Sequence, residues 1–226
     1  MTWIAASLLA VCAVNAGELT GELHLTENGR ATGAQEYADA VIFFVPDSAT
    51  VDSVLTADMK PPPQATLEMR GKKFLPRVLP VVAGTEVAFT NFDPILHNAF
   101  STARQMPFDL GFYSGGENRN MTFETPGLVR VYCNVHHDMV AYVLVLDTPH
   151  FTRSDAQGKF RLRDLPEGKG TLYIWHPRAR PLRESLTVNA SNPPDRIFEL
   201  ALTERRIPRH PDKHGNAYRN RRDRNY

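Results

Sequence analysis

Apolar and polar positions alternate along Leu19–Leu25 (LTGELHL), and Glu27-Asn28-Gly29 follows as a turn. That is the pattern of a half-buried strand. Ala40–Val45 is a short apolar run stopped by Pro46-Asp47. Beyond a Pro-rich connector, Lys60–Pro63, short strands are predicted over Ala65–Met69, Val78–Val82, Thr85–Thr90, Asn120–Glu124, Leu128–Tyr132 and Val140–Leu146. A second set is predicted at Phe151–Ser154, Lys159–Leu162, Thr171–Trp175, Arg183–Val188 and Ile197–Leu202. The only helix the pattern supports is short, around Asp52–Ala57. Short strands punctuated by Gly and Pro predict an all-β chain of sandwich or barrel type. The second set spans only about 55 residues, small for an independent core.

Composition narrows the picture. The 226 residues are 42% hydrophobic and 23% charged, which excludes disorder over the whole chain. After residue 16, no apolar run approaches the roughly 20 residues of a spanning helix. Met1–Ala16 is uncharged and mostly apolar, and it ends in Val14-Asn15-Ala16. This is the pattern of a signal peptide cleaved before Gly17, so a periplasmic location is expected. One of the two cysteines, Cys12, lies in that leader. The exported chain would keep a lone thiol, Cys133, in an oxidising compartment, where it needs burial, modification or a metal. Net charge is +1, but residues 204–226 hold eight Lys/Arg against three acids. With few apolar residues, this tail is expected to be extended or disordered. Its functional reading is contact with an acidic partner or a membrane surface. Export argues against nucleic acid.

The chemistry concentrates in Tyr132-Cys133-Asn134-Val135-His136-His137-Asp138-Met139, between two predicted strands. A thiolate, an imidazole three residues on and a thioether three further share one loop. His97 lies upstream in Asn91-Phe92-Asp93-Pro94-Ile95-Leu96-His97-Asn98. Two imidazoles and a thiolate in a trigonal set, with a weak axial thioether, suit an electron-transfer copper site. His137 is an alternative to His136, although the three-residue steps to Cys133 and Met139 favour His136. Met106 is a distant alternative axial ligand. Structural zinc prefers Cys/His sets without Met. A cysteine hydrolase would leave His97 and Met139 unexplained. The neighbours of Cys133 are Tyr132 and Asn134, and no His-x-His pair is present to build a second copper centre. His176 has no Cys, His or acidic partner at ligand spacing, so it reads as structural or partner-contacting.

The stretch from about Ala65 to Asp147 resembles the cupredoxins, the blue copper proteins, and its short ligand loop is most similar to that of amicyanin. The resemblance rests on Phe74-Leu75-Pro76, Val82–Val87, Asn91–Asn98, Pro126-Gly127 and the Cys133–Met139 loop. It implies a Greek-key β-sandwich and one mononuclear type 1 copper held by His97, Cys133, His136 and Met139. Asn98 would tie the two ligand loops together. Asp155–Phe160, Leu165–Gly168 and Thr171–Trp175 resemble the transthyretin-like regulatory domain of carboxypeptidases, a small prealbumin-like sandwich with a carbohydrate-binding-like fold. Gly21–Val45 looks like that family's first two strands. The expected layout is therefore residues 17–48 with 148–203 as one unit, interrupted by a cupredoxin unit at 49–147. The rival layout gives 17–48 to the cupredoxin. The whole chain also resembles exported proteins loosely described as methylamine utilisation proteins. Together these imply a one-electron carrier rather than an enzyme, serving a c-type cytochrome or a dehydrogenase. The alternatives are a copper-delivery protein without redox turnover and a structural or docking β module.

Overall fold

The computed structural model describes residues 17–47, 64–189, 196–204 and 212–216. The leader, the helix expected around Asp52–Ala57 and the connector Lys60–Pro63 lie outside them. Strands β1 (Gly17–Glu27) and β2 (Arg30–Ala31) lead through the one-turn helix α1 (Ala34–Tyr37) to β3 (Val41–Pro46). Then come β4 (Gln64–Met69), β5 (Phe74–Leu75), β6 (Val78–Val82), β7 (Thr85–Asn91), β8 (His97–Ser101) and β9 (Phe108–Tyr113). β10 (Asn118–Phe123), β11 (Gly127–Tyr132) and β12 (Val140–Leu146) complete this group. The chain closes with β13 (Phe151–Arg153), β14 (Lys159–Leu165), β15 (Gly168–Trp175), β16 (Leu182–Val188) and β17 (Arg196–Ala201).

These strands form four sheets: β14-β1-β17 with β2 at its edge, β13-β3-β15-β16, β6-β12-β11-β8-β9 and β10-β7-β4-β5. β1 runs antiparallel to β14 and parallel to β17, and β3 is antiparallel to β13 and β15. β1 and β3 thus share sheets with strands that follow residue 150, whereas β4–β12 pair among themselves.

Three apolar cores separate the four sheets. The first, with Leu67, Phe89, Phe123, Val131 and Val143, joins the two sheets built from β4–β12. The second, with Leu23, Phe44, Leu162, Ile174 and Phe198, joins the other two. The third, with Val41, Phe100, Tyr132, Tyr142, Leu144 and Trp175, binds one sandwich to the other. Alternate residues of β3 serve different cores: Ile42 and Phe44 face the second, Val41 and Phe43 the third. Likewise β12 is buried at all seven positions, because both of its faces are covered. This explains why Ala40–Val45 and Val140–Leu146 read as unbroken apolar runs rather than alternating ones.

Four strands were not predicted from the sequence, β2, β5, β8 and β9, and the last two matter to the site. β8 is buried at all five positions, so its His97-Asn98 start carries no alternation. β9 contains Gly111, whose φ of +70° departs from strand geometry. Within the tail, residues 212–216 form a turn hydrogen-bonded to Asn134 and Asp109.

Candidate metal centre

β11 ends at Tyr132, and Cys133 begins the loop that returns as β12. The loop closes on itself: Met139 N–H donates to His136 O (2.9 Å), and Cys133 N–H donates to Met139 O (3.3 Å). β8 starts at His97 and bridges to β11 through Phe100 and Tyr132, which brings His97 beside Cys133 across 36 residues of sequence.

His97 Nδ1 lies 3.7 Å from Cys133 Sγ, and donor atoms of His97, Cys133 and His136 all lie within 4.8 Å of one another. The two imidazole rings sit 4.9 Å apart at 55°. His97 and Cys133 are fully buried, and His136 is partly so. Met139, 1% exposed, is packed in the core cluster that contains Cys133. His137 points elsewhere: it is exposed, and its Nε2 pairs with Asp138 at 3.0 Å. Met106 packs, half-buried, on the edge of the first core.

Both histidines are prepared to accept rather than donate at the cluster. His97 Nε2 lies 2.9 Å from Asp93 Oδ2. A carboxylate only accepts, so Nε2 carries a proton, and in the neutral ring the Nδ1 lone pair faces the thiol. Asp93 is itself held by N–H groups of Gly71 (2.6 Å) and Lys72 (2.8 Å). Burial pushes its pKa up, but those two donors and the His97 ring outweigh it and keep the carboxyl below the usual range. His136 Nδ1 is buried with no hydrogen-bond partner. Burial, then the neighbouring His97 and Lys72, lower the His136 pKa and favour its neutral ring.

Asn91, fully buried, shapes the segment before His97: its Nδ2 donates to Ile95 O (2.9 Å) and Tyr113 O (3.1 Å), and its Oδ1 accepts from Asp93 N–H (3.0 Å). Asn98 Oδ1 accepts from Asn134 N–H (2.7 Å), joining the residue after His97 to the residue after Cys133. Sequence reading assigned no role to Asp93. The available signal was an acid four residues before a candidate histidine, a spacing too common to single out.

A second cluster of ligand-type groups lies elsewhere: Glu36, Asp39 and His176, all buried. Arg178 pairs with Glu36 at 3.1 Å and also with Glu27, and Arg77 pairs with Asp39. His176 Nδ1 accepts from Arg178 N–H (3.1 Å), and its Nε2 meets Glu36 O (3.2 Å).

What fold and residues define is an all-β protein with a buried thiol–imidazole cluster at a sandwich end. No protein-family model matches the chain, and no curated protein matches it. Solved structures similar to part of it include cupredoxins. The copper-containing nitrite reductase from Thermus scotoductus SA-01 is 29% identical over 40% of this chain and 24% of its own, with a TM-score of 0.36. This chain therefore spans about a quarter of that protein. The purple cupredoxin from Nitrosopumilus maritimus is 24% identical over 36% of this chain and 99% of its own (TM-score 0.34). The amicyanin from Paracoccus versutus is 18% identical over 41% and 87% (TM-score 0.34).

Proposed function

We propose that the protein is a mononuclear copper protein that carries single electrons. His97 Nδ1, Cys133 Sγ and His136 Nδ1 would hold the ion, with the Met139 thioether as a weak further donor. The observation that carries this reading is the buried, unpartnered His136 Nδ1 beside the Cys133–His97 pair. Ligands at ~2.0 Å (N) and ~2.3 Å (S) from one ion stand roughly 3.5–3.7 Å apart, and the 3.7 Å between sulfur and nitrogen fits that. The donor set, soft thiolate with two imidazoles and a thioether, suits copper. When bound, copper supplies a one-electron couple between Cu(I) and Cu(II).

The chain's own part is to hold the donors still. His97 is fixed by Asp93 and β8, Cys133 by β11, and the loop by its two internal hydrogen bonds. Little has to move when charge at the site changes, which favours a carrier over an enzyme. The complete burial of Cys133 supports a retained metal rather than one handed on. Exposed apolar side chains lie on the same two segments, Phe92 and Leu96 before His97 and Val135 before His136. Such a surface suits docking of a cytochrome or dehydrogenase at the His136 edge.

The remaining readings complete the proposal. Residues 17–48 with 148–203 form a regulatory-like binding module around the 49–147 unit. An open groove of about 1180 Å³, lined from β1, β13 and β14, supports a docking role for that module. Export of the chain to the periplasm goes with a thiolate copper site in an oxidising compartment. Among the described residues no helix is long and apolar enough to cross a membrane.

The deciding measurement is visible absorption of the purified protein on adding Cu(II), beside Cys133→Ser. The expected result is an intense thiolate-to-copper band at one copper per chain, absent from C133S. Copper binding without that band sinks the carrier reading.

A further inference from the structure

The turn at residues 212–216 belongs to a basic tail that the copper reading leaves without a role. It organises itself: Asp212 Oδ1 accepts N–H bonds from His214 (2.9 Å) and Asn216 (2.8 Å), and Gly215 takes the left-handed φ of +86°. The turn then presents Lys213 to the ligand loops. Lys213 N–H donates to Asn134 Oδ1 (3.0 Å), and Lys213 Nζ donates to Asp109 Oδ2 (2.7 Å). The ammonium also lies 5.1 Å from the Phe112 ring centre, and the side chain is only 20% exposed.

These bonds close a ring. Asn134 N–H donates to Asn98 Oδ1 (2.7 Å), and Asn98 Nδ2 donates to Asp109 Oδ1 (3.3 Å). Four segments meet in it: the residue after His97, the residue after Cys133, β9 and the tail. A lone exposed Lys–Asp pair is worth little. Here the pair is partly covered and joined to a backbone donor, and Asn134 is held on both its N–H and its side-chain oxygen.

We infer that residues 212–216 are a C-terminal strap, and that Lys213 is a positioning residue which locks Asn134, and through it Cys133 and His97, in one arrangement. The strap keeps the Cys133 thiol closed off and limits local opening of the 133–139 loop. Its consequence for the metal rests on the copper reading; its effect on the thiol does not.

The test begins with metal-free protein. The rate at which Cys133 reacts with a small aromatic disulfide reagent is measured for the full chain, for a chain ending at residue 211, and for Lys213→Ala and Asn134→Ala. Because the thiol is fully buried, reaction requires the loop to open. The truncated chain is expected to react about tenfold faster, equivalent to ~1.4 kcal/mol of lost closure. K213A, which keeps the backbone N–H, and N134A, which removes its acceptor, are expected to fall between, and Lys213→Arg to restore most protection. Equal rates in all these proteins, within twofold, overturn the strap. If the truncated chain fails to fold, the three full-length substitutions decide. Copper is then added. Faster thiol reaction without any thiolate–copper band in the full chain leaves the strap standing and removes the copper reading. A strong band with unchanged thiol rates does the reverse.

Discussion

Among the described residues, two buried histidines have a carboxylate at hand, His97 and His176, and they are built for opposite ends. His97 donates an Nε2–H hydrogen bond to Asp93 and turns Nδ1 toward a thiol and a second imidazole. His176 has both nitrogens occupied, one by Arg178 N–H and one by the Glu36 backbone carbonyl. Among the described residues no arginine pairs with Asp93, whereas around His176 Arg178 and Arg77 pair with the carboxylates. On the copper reading, a cation takes its place in the first cluster. In the second, arginines hold it. Proximity of ligand-type residues alone therefore does not make a metal site. What decides is whether a lone pair is left over.

The largest expected effect comes from breaking the arginine-filled cluster. Arg178→Ala leaves Glu36 buried beside His176 without its guanidinium, and loss of one partner of a buried pair costs about 3–5 kcal/mol. Denaturant unfolding should show that loss, with the thiolate–copper band intact in the fraction that folds. A loss under about 1 kcal/mol would mean that Arg178 is not what satisfies this cluster.

Acid comes next. Burial, resisted by Glu36, lowers the His176 pKa from 6.5 to about 4. Between those values the unfolded chain binds a proton that the folded chain refuses, so stability falls as pH falls from above 6.5 toward 4. A shift of this size contributes ~3 kcal/mol, present at neutral pH and lost by pH 4. His176→Gln removes this component, and its unfolding free energy should vary less over that window. Equal slopes for both proteins would show that the ring already carries its proton when folded.

The smallest effect probes the other histidine. Asp93→Asn replaces the carboxylate behind His97 with a neutral amide and should lower copper affinity by about 10–100-fold, measured against a competing chelator. Glu36→Gln, the corresponding change beside His176, should leave that affinity unchanged. A similar loss in both variants would erase the distinction between the clusters.

Part of this was open to reading along the chain. The Cys133–His136–Met139 spacing lies on one strand–loop–strand segment, so the local sequence displays it whole. His97 was a candidate by residue type and neighbours, yet the strand that delivers it, β8, gave no signal because it is covered on both faces. Asp93 and Arg178 were silent for a different reason. An acid or an arginine acquires its role from what lies opposite it, and here that is a ring buried by other strands.

The sequence by itself determined the all-β character, the short strands and the presence of a soft, mixed donor set, because periodicity and loop spacing are properties of a few consecutive residues. Only the tertiary structure decided which histidine faces a thiol and a second imidazole and which has both nitrogens engaged by backbone groups. It also decided that β3 and β12 are covered on both faces, and that Lys213 reaches Asn134 across 79 residues. Those outcomes depend on contacts between segments distant in the chain. Such contacts form only when three apolar cores have fixed four sheets against one another.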